Sequence, residues 1–119
     1  MRTIYVSTPV TSRQEKTIEE QMFCAYRRHR ELEKLWKSQI GLGDAFETFY
    51  WVTHERMSNA EAMGRCIELL LTCDTILVDS DYEKSKGCRS ELEVAKIYGL
   101  EVYFVKNGKI EKSTTCNNQ

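Results

Sequence analysis

Residues 73–99, CDTILVDSDYEKSKGCRSELEVAKIYG, decide how the rest of the chain is arranged. Ile76-Leu77-Val78 is a short continuous apolar run, the pattern of a strand buried on both faces, and it predicts a strand over 75–79. A polar loop with Ser85 and Gly87 follows. The helix after Gly87 carries Cys88, Leu92, Ala95 and Tyr98 at helical spacing, and Gly99 is placed to stop it. A strand that feeds a loop opening a helix offers an anion free N–H groups and the positive end of a helix dipole. Glu91 sits one turn into that helix, on the side of Cys88, Leu92 and Ala95. A carboxyl on an apolar face is costly to bury and needs a reason. The bland reason is a first-turn glutamate favoured by the dipole, a role that Glu93 fits better.

Working outward, Ser58-Asn59-Ala60-Glu61 fits a capping box. The helix it opens, to about residue 72, presents Met63, Cys66, Ile67, Leu70 and Leu71 on one side. Downstream, 102–105 is another strand, Asn107-Gly108 signals a type I′ hairpin, and Ile110 starts an antiparallel return. At the other end, 2–7 is rich in β-branched and aromatic residues and reads as the first strand. The turn Ser7-Thr8-Pro9-Val10-Thr11-Ser12 breaks it. A long helix is expected over about 13–40, with Ile18, Met22, Tyr26, Leu32, Leu35 and Trp36 near the helical period and Gly41 and Gly43 ending it. The run 45–52, AFETFYWV, reads as a second strand whose imperfect alternation leaves a helical turn open.

Strands alternating with helices predict a three-layer α/β/α fold around a central, mainly parallel sheet, Rossmann- or flavodoxin-like, with a short C-terminal hairpin. One domain is expected over 1–112 and a flexible tail over 113–119. In such sheets ligands bind outside the carboxyl ends of the strands, which brings the loops 7–13 and 80–87 to one crevice.

The totals narrow the function classes. With 119 residues and a net charge of −1, no global field favours nucleic acid or an anionic membrane. No apolar run is long enough to span a bilayer and no secretory signal is visible. Cys24, Cys66, Cys73, Cys88 and Cys116 form no CxxC pair, and their odd number fits reduced thiols in the cytoplasm. With His29 and His54 the only imidazoles, no metal site is expected, and no cofactor motif is present.

The candidate binding groups lie in the two loops. Ser7, Thr8, Pro9, other hydroxyls of the first loop and Arg13 suit a phosphate or a sugar, although the stretch is neither a P-loop nor GxGxxG. A polar turn with helix caps explains it as well. Ser85-x-Gly87 is a phosphate candidate, flanked by Lys84, Lys86 and Arg89, against the plainer reading of Ser85 as an N-cap. Asp79 and Asp81 face the crevice, where a carboxylate can hold a ribose hydroxyl. Asp74 is expected to cap the preceding turn. Cys88 is read as a small residue packed under the loop rather than a reactive thiolate, because no histidine is placed as its base. His54, Phe49, Tyr50 and Trp51 are read as packing before base stacking.

The residues IYVSTP (4–9) and MGRCIELLLTCDTILVDSDYEKSKGCRSELEVAKIYGLEVYF (63–104) carry a resemblance. The chain resembles the nucleoside 2-deoxyribosyltransferase-like superfamily, most closely its small DUF4406 branch of bacteria and phages. That branch reads Y-I-x-G-P, then L-L-x-C-D-A-I, then W-x-x-S-x-G-A-x-x-E-x-x-x-A. The resemblance implies that Glu91 attacks the anomeric carbon of a nucleoside or its 5′-phosphate, as in a retaining glycosidase. It further implies that Ser85 with the Gly87 and Cys88 amides holds phosphate, and that Tyr5 and Asp79 position the sugar. It implies a dimer or higher oligomer, for which 46–51 and the first helix offer surface. Three positions depart from the pattern. Thr8 replaces a glycine, Tyr82 replaces the tryptophan, and Cys66 stands where active enzymes carry an aspartate, eight residues before Asp74. A thiol cannot replace a carboxylate as a proton relay at neutral pH, and losing such a partner removes about two to four orders of magnitude of rate.

Two functions are therefore expected as alternatives. One is an N-glycosidase or base-exchange enzyme acting on a nucleoside or nucleotide. The other is a module that binds a nucleotide, such as a nucleotide-derived signal, and returns it intact.

Overall fold

The computed structural model describes residues 1–9, 17–48 and 58–113. Strands β1 (Thr3–Ser7), β2 (Ala45–Glu47), β3 (Thr75–Val78) and β4 (Glu101–Lys106) run parallel, and β5 (Lys109–Lys112) returns antiparallel along β4. Their order is β2-β1-β3-β4-β5. The direction of strand progression reverses between β1 and β3, and that switch point is where open α/β sheets bind ligands.

Period-two alternation sorts the strand side chains onto two faces. Tyr5, Ile76, Val78 and Val102 pack with Cys66, Leu70, Leu92 and Ala95, residues of α2 (Asn59–Leu70) and α3 (Lys86–Ile97). Ile4, Val6, Leu77, Tyr103 and Val105 pack on the opposite face with Leu32 and Trp36 of α1 (Ile18–Gln39). The result is the expected three-layer α/β/α fold with a C-terminal hairpin. Asn107 and Gly108 both take positive φ, 51° and 74°, as a type I′ turn requires.

The helices start where their caps dictate. Ser58 and Glu61 form the expected capping box of α2. Thr17 and Glu20 form a second one at α1, which places that helix start at Ile18. The sequence stretch 10–16, which includes Arg13, lies outside the described residues, as do 49–57 with Phe49, Tyr50, Trp51 and His54, and the tail 114–119.

Four expectations change. The buried face of α1 is Ala25, His29, Leu32 and Trp36, so Tyr26 points to solvent at 49% exposure. Tyr98, at 65%, and Leu71 are likewise exposed, because each follows the last buried turn of its helix. Asp74 does not cap the preceding turn. It accepts from the Thr75 hydroxyl at 2.8 Å and, more weakly, from the Thr3 N–H, so it joins the starts of β3 and β1. Finally, α3 begins at Lys86, which puts Gly87 inside its first turn.

Candidate active site at the β1–β3 switch point

Alternation at the carboxyl ends of β1 and β3 splits the site into two clusters on opposite faces. On the α3 face, Glu91 is only 6% exposed. Its Oε2 accepts from the Tyr5 hydroxyl and its Oε1 from the Ser7 hydroxyl, both at 2.6 Å. Such short O–H···O contacts are those of charge-assisted bonds to a carboxylate. Burial nevertheless pushes the Glu91 carboxyl above its ordinary range, with Ser7, Tyr5 and Cys66 working against that shift. Burial first, and then the Glu91 charge, keep the Tyr5 phenol protonated. Cys66 and Cys88 flank this carboxyl. Burial chiefly, with the Glu91 charge, pushes each thiol up to about 11, so neither is a thiolate near neutral pH.

On the α1 face, Asp79 is 4% exposed and lies just past β3. The Arg28 guanidinium of α1 clamps it side-on, Nε to Oδ2 at 2.8 Å and Nη2 to Oδ1 at 2.7 Å. The Thr8 hydroxyl donates at 2.6 Å and the Ser80 N–H at 2.7 Å. Burial alone would raise this carboxyl, but Arg28, Thr8 and Ser80 together hold it below the usual carboxylate range. Asp79 is thus an ionised, saturated acceptor. The resemblance implies that Asp79 positions the sugar; the groups it meets here are Arg28, Thr8 and Ser80.

Ser85 is the N-cap of α3. Ser85 is buried and its hydroxyl accepts from the Cys88 N–H at 3.1 Å, the N-cap bond of α3. The Cys88 amide assigned to phosphate is therefore used within the helix cap. A Cβ added at Gly87 would meet only the Ser85 hydroxyl at 3.8 Å, so packing does not demand glycine there. Lys84, Lys86 and Arg89 are exposed. Pro9 is half-buried beside Thr8 at the end of the described loop.

Glu91, Tyr5 and Ser7 thus meet, Thr8 joins Asp79, and Arg28 enters a site that sequence reading does not give it. Residues 2–104, which span both clusters, match the sequence model of the family described as Domain of unknown function (DUF4406). The chain belongs to the DUF4406 family. No curated protein and no solved structure matches it. Among the described residues of this DUF4406 domain, no group of three or more His, Cys, Asp or Glu side chains is placed to hold a metal, and no helix is long and apolar enough to cross a membrane. Cys66, Cys73 and Cys88 are buried thiols in no disulfide.

The two carboxyls give stability opposite pH dependences. Glu91 has a raised pKa when folded, so its contribution is fully present below about pH 4.5, its ordinary value, and is lost as pH rises through the folded value. The depressed pKa of Asp79 does the reverse, and its contribution is lost as pH falls below its ordinary range. Glu91→Gln, which keeps the shape and removes the charge, should gain stability over the wild type progressively as pH rises above about 4.5, the ordinary glutamate value, until it passes the folded value. Thermal unfolding across that range checks this. An offset that does not change with pH contradicts it.

Proposed function

We propose that this domain binds a nucleoside or nucleoside 5′-phosphate at the β1–β3 edge and cleaves its N-glycosidic bond, with Glu91 as the nucleophile. The observation that carries this reading is the buried Glu91 carboxyl, held by Tyr5 and Ser7 at the carboxyl end of β1. A glutamate so shielded from water is a stronger nucleophile once ionised, and two fixed hydroxyls aim its oxygens. In this scheme one Glu91 oxygen attacks C1′ and the C1′–N bond breaks. The base leaves, and water or a second base then displaces the glutamyl ester. The resemblance to nucleoside 2-deoxyribosyltransferases supports the same assignment. Free buried thiols fit a reducing, cytoplasmic setting, and a neighbouring copy would help close the site.

A second reading rests on Cys66. Its thiol, pushed to about 11, lies against Glu91 and Tyr5 where the resemblance implies an aspartate, and it carries no charge near neutral pH. Asp79, a second buried carboxylate, is on the opposite face and paired with Arg28. A pocket of this kind holds a nucleotide and releases it unchanged, or turns it over slowly.

Incubation with a panel of nucleosides and their 5′-monophosphates, with chromatography of the products, separates the two. Release of free base supports the enzyme. Calorimetric binding with the ligand recovered intact supports the binding module. Neither binding nor release contradicts both.

A further inference from the structure

We infer that Arg28 is the oxyanion-recognition group of this crevice, placing the anionic end of the ligand on the α1 side and not at the Ser85 loop. The expected ligand chemistry is an oxyanion with equivalent oxygens, a phosphate monoester or a carboxylate. The inference starts from the donor inventory. A guanidinium has five N–H donors in a rigid plane. Two go to Asp79 through Nε and Nη2, and one Nη1 donor goes to Glu31 at 3.1 Å. The remaining donors lie on Nη1 and Nη2 and have no partner among the described residues. Because Asp79 grips the guanidinium side-on, its outer Nη1/Nη2 edge is fixed in direction. That edge matches two oxygens of a phosphate or carboxylate.

Position supports the same assignment. Arg28 meets Asp79 where the chain leaves β3, next to Thr8 where it leaves β1, so the guanidinium lies at the switch-point mouth. Its side chain is 39% exposed, while the Asp79 that orients it is buried. The alternative anion site is weaker here, since the Ser85 hydroxyl and the Cys88 amide already bond to each other. Electrostatics do not forbid the ligand. Glu31 is 55% exposed and its charge is therefore screened.

The test follows the Arg28 side-chain resonances of the full chain by NMR during titration with inorganic phosphate and, separately, acetate. Saturable shifts of the Arg28 Nε–H and Nη signals are expected with one or both anions, and the stronger of the two identifies the source. Arg28→Lys keeps the charge beside Asp79 but loses the fork, and should weaken binding by about 10–100-fold. Glu31→Gln is an exposed change with little folding risk, and it should tighten binding by roughly two- to fivefold. Ser85→Ala should leave the affinity within about twofold. Shifts centred on Ser85 and Cys88, or an affinity indifferent to both Arg28→Lys and Glu31→Gln, overturn the inference. Because the probes are simple anions, a positive result here stands even where no nucleoside binds.

Discussion

If the proposed chemistry operates, Glu91→Gln is expected to lower base release by roughly three to six orders of magnitude, the loss that follows removal of a covalent nucleophile. The fold survives the change, because an amide fits the volume of the carboxyl and the Tyr5 and Ser7 hydroxyls can each turn to accept or donate. Glu91→Asp is a sharper probe. It keeps the charge and withdraws the carboxyl by about one methylene, a misplacement of the kind that costs about 100-fold. Single-turnover chromatography of base release reads both. Full activity in Glu91→Gln contradicts the nucleophile assignment, and an unfolded variant is recognised by its circular dichroism.

Arg28→Met destabilises the domain by about 2–3 kcal/mol, measured as a drop in the urea midpoint at constant slope. The figure sits below that for a fully buried pair because the Arg28 side chain is 39% exposed and its charge is screened. The asymmetry between partners is the informative part. Removing Arg28 leaves the buried Asp79 carboxylate with only the Thr8 and Ser80 donors. Removing the carboxylate, as in Asp79→Asn, lets Arg28 turn to water and costs about 1–2 kcal/mol. The double variant should therefore lose less than the two singles together. Equal losses that simply add would mean the pair does not fix the site mouth. The Arg28→Met deficit should also shrink as pH falls, since the wild-type pair loses its contribution once Asp79 takes a proton.

Local chemistry made much of this domain readable in advance. The apolar run Ile76-Leu77-Val78, the Ser58–Glu61 box and Asn107-Gly108 each have a physical cause confined to a few residues, and each takes the expected form. Glu91 stood out because a carboxyl broke an otherwise apolar helix face. What could not be read depended on contacts between distant elements. Arg28 sits among Arg27 and Arg30 on a charged helix, and nothing local separates it from them. Its signal was the helix phase. Leu32 and Trp36 extend back to His29 and Ala25, which puts Arg28 on the shoulder of the buried face. The expected face, Ile18, Met22, Tyr26, Leu32, Leu35 and Trp36, holds Leu32 and Trp36 but puts Tyr26 on the wrong side. The Thr17–Glu20 box is legible in the sequence and marks a later helix start than the charged stretch from about residue 13 suggests. Asp79 looked free because β3 alone does not reveal a guanidinium arriving from α1.

The central claim is that the buried Glu91 faces the anomeric carbon of a bound nucleoside. A crystal structure of Glu91→Gln soaked with a nucleoside 5′-monophosphate tests it directly. The expected result places C1′ within about 3.5 Å of a side-chain atom of residue 91, the distance of a near-attack geometry. A nucleotide bound elsewhere on the domain, or one whose sugar lies beyond reach of residue 91, would contradict the account.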